Sequence, residues 1–542
     1  MIQTNNMEKK PKKLWKSVYY DEHQDHVTIS TIDSTTESDE RIVYMDDLEK
    51  RKQVYGICGE CNEPGTGEAW CQPCNSKRFK DNFKNWTSGN KDIDEFIQHS
   101  QLNALSFRKC LEWVPFEKFQ NITYVAEGGF GKIFSAKWPE GCIISWDIKN
   151  QRWKRSTHKK YALKSLNNSS DICSDFLNEI KTHLNIHLND VIECNGITQD
   201  PNTKAYMMIL FYCNNGNLRN YLNKSEEYIG YGLKIFELLL IARGLLDIHN
   251  SGKVHKDFHS GNILFGDDDP YISDLGMCQS ASKQKVKEEG IYGVLPYMAP
   301  EVLRGHQYTK ASDIYSFGII MNEFLSEEIP YGDIPHNEFL AITICKGQRP
   351  KISEDVPKLL ADLIIRCWDA EIENRPTTKE LYQILKKWSD ETYDSDDSDD
   401  DGDDGEDSED SEYDEDSEDS EDSEDDDEDD KDGENIQNSE IYSQIKESDE
   451  IRRKKFNNKP KEDKSKNIQT HPQAIYTSRL INFKSLPKPV NSSDLSSFQF
   501  NSDTNYTIQS TLTNPSNSEC LDVQLSELEL NEICQDSENN IE

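Results

Sequence analysis

The stretch "VHKDFHSGNILF", residues 254–265, decides the fold. Asp257 and Asn262 stand five residues apart in it, with Lys256 just before the aspartate. Twelve residues after Asn262, "SDLGM" adds Asp274. A carboxylate and an amide oxygen are the hard donors that magnesium takes in small number when it shares phosphate oxygens. The segment before the loop, "LKIFELLLIARGLLDIHNSG", repeats apolar residues at i, i+3 and i+4 and stops at Ser-Gly, which predicts a helix feeding the loop.

Working upstream, "AEGGFGKI" (residues 126–133) reads as a hairpin of small residues. Without side chains in the way, its backbone amides can approach phosphate oxygens. The plainer reading is a tight turn. "YALK" places Lys164 in a short strand-like run, and "FLNEI" supplies Glu179, fifteen residues on, in a helical segment. The pair is either a charge clamp or two solvated side chains. Downstream, "YMAPE" carries Glu301, "SDIYSFGIIMNEF" carries Asp313 at a helix start, and "CWDAEIENRPT" carries Arg375, expected to pair with Glu301. Strand-forming runs precede about residue 216 and helical periodicity follows it, an α+β arrangement in two lobes.

In this order and spacing the motifs resemble those of the eukaryotic protein kinase family over residues 122–388: a glycine loop, a strand lysine, H-R-D-L-x-x-x-N, D-F-G and A-P-E. The resemblance is strongest to the tyrosine-kinase-like group. The insertion at 139–159 and the cysteine cluster before it resemble an expanded set of fungal kinases. The resemblance implies a bilobal kinase fold using ATP with Mg2+, or Mn2+ in its place, on protein substrates. It further implies that Ala126, Glu127, Gly128, Gly129, Phe130 and Gly131 cover the phosphates. Lys164, held by Glu179, would neutralise phosphate charge, Asp257 would take the acceptor's proton beside Lys256, and Asn262 with Asp274 would hold the metal. Ile133, Ala162 and Leu264 would enclose the adenine, with Leu210 as gatekeeper before the hinge Phe211–Tyr212–Cys213.

Several letters depart from the family pattern. Ala126 replaces the first glycine, Leu275 the phenylalanine of D-F-G, and Val294 a usual threonine. Lys256 replaces arginine and lacks its bidentate fork for phosphate. His259 stands where serine/threonine kinases carry lysine. It would either offer a partial charge to the γ-phosphate or simply pack or face water. Serine/threonine is expected over tyrosine as the acceptor. Lys164, Asp257, Asn262 and Asp274 are all present, which favours an active enzyme. The competing class is a catalytically silent scaffold that keeps the fold to bind partners.

Before the kinase-like part, "CGECNEPGTGEAWCQPC" spaces Cys58, Cys61, Cys71 and Cys74 as C-x2-C-x9-C-x2-C. Two close thiolate pairs suit tetrahedral Zn2+. Free thiols or a redox pair are the alternative. The unit reads as structural or as a dock for a protein partner. Nucleic acid is the less favoured ligand, because only "NSKRFKDNFKNW" flanks it with basic and aromatic residues. Residues 391–434 hold 30 acidic residues and one lysine, so −29 of the net −40 belongs to that run and about −11 to the rest. The run is expected to stay extended, as a solubiliser or as a competitor for a basic partner. The expected organisation is therefore residues 1–54 without fold, 55–117 as zinc knuckle and helical linker, 118–389 as kinase domain, 390–434 as acidic tail and 435–542 as an unfolded polar tail. No apolar run reaches membrane-spanning length. The scattered cysteines point to the reducing cytoplasm, with the nucleus as an alternative given "KKPKK" at 9–13.

Overall fold

The computed structural model describes residue 15 and residues 26–29, 41–128, 131–166, 174–186, 190–225, 228–266, 269–281, 291–392, 439–458 and 470–491. The basic cluster at 9–13 and nearly all of the acidic run lie outside the described residues. The chain divides into units 1–492 and 493–542, and every described residue belongs to the first.

The N-terminal part holds a parallel pair, β1 (Val27–Ile29) and β2 (Ile42–Tyr44), and then α1 (Leu48–Tyr55), α2 (Gln72–Asn82) and α3 (Lys91–Asn103). Segments within 1–54 thus have structure where none was expected. The reason is buried charge matched by partners. Arg51 donates to the carbonyls of Gly65 (2.9 Å), Pro64 (2.6 Å) and Met45 (2.8 Å). Arg41 pairs at 2.8 Å with Asp247 of the helical lobe. The predicted linker helix ends early, at Asn103, because the chain turns to form β3 (Glu112–Trp113).

Then come β4 (Gln120–Gly128), β5 (Gly131–Lys137), the hairpin β6 (Ile143–Asp147) and β7 (Arg152–Arg155), β8 (Lys160–Leu166), α4 (Ser174–Asn185), β9 (Cys194–Gln199) and β10 (Tyr206–Phe211). Six of these strands form one sheet in the order β3-β9-β10-β8-β5-β4. Strand alternation splits β10 between two cores. Met208 and Leu210 pack with Phe176 and Ile180 of α4 and with Ile93 and Ile97 of α3, while Met207 and Ile209 face Trp138 and Tyr161. Both faces are covered, which explains the continuous apolar run "YMMILF". The insertion forms β6–β7 and docks on the cysteine module: the Trp153 ring stacks 4.7 Å from Phe79 and 5.9 Å from Trp70.

The second lobe contains β11 (Gly216–Asn217), α5 (Leu218–Lys224), α6 (Tyr231–Asn250), β12 (Lys253–Val254), β13 (Ile263–Phe265), β14 (Pro270–Ile272), β15 (Gln279–Ser280) and β16 (Ile291–Gly293). Helices α7 (Pro300–Leu303), α8 (Lys310–Ser326), α9 (Glu338–Cys345), α10 (Lys358–Cys367) and α11 (Thr378–Asp390) complete it. Arg375 meets Glu301 through two bonds of 2.7 and 2.9 Å and also donates to the Ala311 carbonyl. This is the fork geometry that suits a buried carboxylate.

The stretch 435–542, expected to lack structure, supplies two elements: α12 (Glu440–Asn458) and β17 (Arg479–Ile481). Ile441 and Ile445, one helical turn apart, are buried against the lobe. Arg452 donates to Tyr231 Oη at 2.8 Å and to the Leu325 carbonyl at 2.5 Å. β17 pairs antiparallel with β16, and Ile481 and Leu486 bury beside it. Overall polarity hid these few apolar positions.

Candidate active site

The residues predicted for the site converge between the two lobes. β8 carries Lys164 and α4 carries Glu179; their side chains meet at 2.7 Å. Lys164 Nζ also lies 2.8 Å from Asp274 Oδ1. Burial alone would lower the Lys164 ammonium, but the Asp274 and Glu179 carboxylates outweigh it and hold it above its usual value. Burial also raises Glu179, whereas for Asp274 the attraction of Lys164 prevails and keeps the carboxyl low. Asp274 adopts φ 59°, a left-handed conformation that a non-glycine residue holds only when its surroundings fix it. Gly276 follows, and a Cβ there would stand 3.0 Å from Glu179 Oε2.

The loop 254–265 is fixed from below by α8. Thr309 and Ser312 form a capping box at its start. Asp313, in the first turn, accepts the backbone N–H groups of His255 (2.8 Å) and Lys256 (3.1 Å). Lys256 sits at φ 72°, so the loop turns sharply just before Asp257. Asn262 Nδ2 donates to the Asp257 carbonyl at 2.9 Å, which leaves the amide oxygen as its ligand atom. Asp257 is 4 % exposed, and its Oδ1 meets no hydrogen-bond partner among the described residues. The orphaned acceptor is a feature of a site awaiting a donor.

His259 is buried rather than facing water. Its Nδ1 accepts the Gly261 N–H at 3.1 Å, so the proton of the neutral ring sits on Nε2. That nitrogen lies 3.6 Å from Asp257 Oδ2. The side chain therefore faces the carboxylate.

The residues expected to enclose the adenine lie on β5, β8 and β13. Ala162 and Leu264 share one apolar cluster with Phe211, while Ile133 lies on β5 opposite Lys164. The His158 ring, at the end of the insertion, stacks 4.6 Å from Phe211 of the hinge. Ala126, Glu127 and Gly128 end β4, and Gly128 pairs with Gly131 across the hairpin. Gly129 and Phe130 lie outside the described residues, as do residues 282–290 of the loop after Asp274.

Beside the sheet, the sulfurs of Cys58, Cys61, Cys71 and Cys74 all lie within 4.8 Å of one another. Cys58 and Cys74 are 4.0 Å apart, and Cys61 and Cys71 3.6 Å. Four thiolates at about 2.3 Å from a tetrahedral zinc stand roughly 3.8 Å apart, so the cluster is compatible with a structural zinc.

Two features escaped sequence reasoning. Tyr297 Oη joins Ser260 Oγ (2.9 Å), Glu323 Oε2 (2.6 Å) and Arg219 (2.7 Å) into one buried network under the loop. Its members are 37 to 78 residues from Tyr297 except Glu323, at 26, and no local pattern connects them. The other is β17, which pairs with β16.

A family described as protein tyrosine and serine/threonine kinase matches residues 119–385. Among curated proteins, serine/threonine/tyrosine-protein kinase HT1 of Arabidopsis thaliana is 33% identical over 34% of this chain and 48% of its own length. The probable serine/threonine-protein kinase gdt4 of Dictyostelium discoideum is 28% identical over 51% of the chain and 16% of its own length. Serine/threonine-protein kinase VIK of Arabidopsis thaliana is 28% identical over 51% of the chain and 61% of its length. The chain thus spans less than two thirds of each of these relatives. No helix among the described residues is long and apolar enough to cross a membrane.

Proposed function

Because the chain belongs, through residues 119–385, to the eukaryotic protein kinase family, we propose that it transfers the γ-phosphoryl group of ATP to hydroxyls of protein substrates, serine and threonine first. The observation that carries this reading is the three-way contact of Lys164 with Glu179 and Asp274, set beside the orphaned Asp257 Oδ1. Lys164 presents a fixed cation to the α and β phosphates, positioned by Glu179. Asp257 Oδ1 accepts the hydrogen of the attacking hydroxyl and orients its oxygen. Asn262 Oδ1 and Asp274 are the donors that fit a magnesium ion, which when bound supplies charge neutralisation on the phosphates. His259 Nε2–H faces Asp257 Oδ2 and helps hold that carboxylate's orientation. The four cysteines would hold a structural zinc, joining the loop at Cys58–Cys61 to the start of α2. That module is structural and a candidate dock for a protein partner.

The test is phosphotransfer from labelled ATP to a generic basic protein, followed by phosphoamino-acid analysis, with Asp257→Asn as control. Phosphoserine and phosphothreonine that vanish in the control support the reading. Equal labelling in both would refute it, and no labelling in either would favour the silent scaffold.

A further inference from the structure

The segment 470–491 follows one continuous path over the helical lobe. The His471 N–H donates to the Gly332 carbonyl at 2.7 Å, and the His336 N–H donates to the Gln473 carbonyl at 3.0 Å. The Ile475 N–H donates to His336 Nδ1 at 3.0 Å. Tyr476 then lays its ring over the Arg219 guanidinium at 3.9 Å and donates its hydroxyl to the Pro330 carbonyl at 2.8 Å. After it, β17 adds to β16 in antiparallel register: Arg479 opposite Gly293, Leu480 opposite Tyr292 and Ile481 opposite Ile291. Ile481 is 3 % exposed, so the strand is anchored by side chain as well as backbone.

This path ends at the catalytic loop. Arg219, beneath Tyr476, bonds to Tyr297 Oη at 2.7 Å. Tyr297 Oη bonds to Ser260 Oγ at 2.9 Å, and Ser260 lies three residues after Asp257. Gly293 leads directly into the turn Leu295–Tyr297. Ser478, one residue before Arg479, is therefore set beside that turn. Its Oγ is buried and finds no hydrogen-bond partner among the described residues, as is true of Asp257 Oδ1. Two orphaned polar atoms, a hydroxyl donor and a carboxylate acceptor, thus belong to elements linked by the Tyr476–Arg219 ring contact and the Arg219–Tyr297–Ser260 hydrogen bonds.

We propose that residues 470–481 occupy the peptide-acceptor groove of this kinase as an intramolecular substrate, added as a strand to β16, with Ser478 as the phosphate acceptor. The proposal rests on the kinase reading above. In the step, Ser478 Oγ bonds to the γ-phosphorus of ATP as the bridging P–O bond to the β-phosphate breaks. The bonding pair leaves with ADP, and the hydroxyl proton passes to Asp257 and then to water. Backbone pairing is sequence-tolerant. Tyr476 on Arg219 and Ile481 in its apolar site set the register, which predicts that external substrates place an aromatic residue two before the acceptor and an apolar one three after it. A tethered strand competes at an effective concentration in the millimolar range.

The full chain is incubated with magnesium and ATP over a range of enzyme concentrations, and its phosphosites are mapped by mass spectrometry. A generic basic protein serves as external substrate in parallel. Phosphate on Ser478 is expected, at a first-order rate independent of enzyme concentration, and absent in Ser478→Ala. In Ile481→Asp, and independently in Tyr476→Ala, the cis phosphate falls and the KM for the external protein drops about tenfold as the competing strand leaves. Phosphate on the external protein with none on Ser478 overturns the proposal, as does modification of Thr477 or Tyr476 in its place. Unchanged KM in both strand variants also overturns it. Phosphate on neither protein overturns the kinase reading and this one with it.

Discussion

Mild acid should weaken the sheet-and-helix lobe through a single buried imidazole, His183. It lies on α4 one turn after Glu179, in the helix that positions Lys164. Its Nδ1–H donates to the Ile192 carbonyl at 2.9 Å, so in the neutral ring Nε2 is bare. That nitrogen is buried and meets no partner among the described residues. Burial first, and the Lys164 charge second, pull the imidazole down from 6.5 to about 4. The unfolded ring therefore binds a proton across the interval from 6.5 to 4 while the folded ring refuses it. Stability from this site is complete above the unfolded value and is lost as pH falls toward the folded one. Between about pH 7.5 and about pH 5 the loss amounts to about 2 kcal/mol, at 1.36 kcal/mol per unit. Urea unfolding followed by tryptophan fluorescence at the two pH values measures it. Burial also lowers His255 and His336, so the decisive quantity is the difference between the wild type and His183→Gln. The variant should lose about 2 kcal/mol less than the wild type on acidification. Equal losses in the two proteins would refute the argument.

Three further outcomes are expected. Lys164→Met should abolish phosphotransfer, and it should also destabilise the fold by about 3–5 kcal/mol, because buried Glu179 and part-buried Asp274 are left without their cation; a variant as stable as the wild type would contradict the clamp. Arg375→Ala strips the fork from Glu301 and should cost a similar about 3–5 kcal/mol in chemical denaturation; a loss below about 1 kcal/mol would mean the pair is solvated in solution. Metal analysis should find one zinc per chain, lost in Cys71→Ser, with a lowered melting temperature and altered emission from Trp70 and Trp153 beside the module; metal-free protein with an unchanged melt would speak for free thiols.

The loop 254–265 was readable because its pattern is local. Asp257 and Asn262 are five residues apart, the backbone turns at Lys256 just before the aspartate, and Asn262 bonds back to the Asp257 carbonyl. The lobe order was readable too, since strand and helix periodicities differ. His259 was harder: its role depends on the Gly261 N–H that fixes its tautomer and on the orientation of Asp257, neither of which a spacing encodes. Nothing local in the insertion at 139–159 names its partner, yet Trp153 closes on Phe79 and Trp70 of the cysteine module, about seventy to eighty residues before it in the chain.

The sequence by itself thus determined the kinase fold, the candidate residues that meet between the lobes, and the four thiols. These are specified by short motifs whose geometry a few backbone dihedrals enforce. Only the tertiary structure decided that Arg41 ties the N-terminal part to the helical lobe and that α12 packs on that lobe. It alone paired β17 with β16, just ahead of the turn Leu295–Tyr297. Each of these rests on one or two buried side chains in a polar context. Their stabilisation comes from a partner hundreds of residues away, which no local pattern of charge or hydrophobicity records.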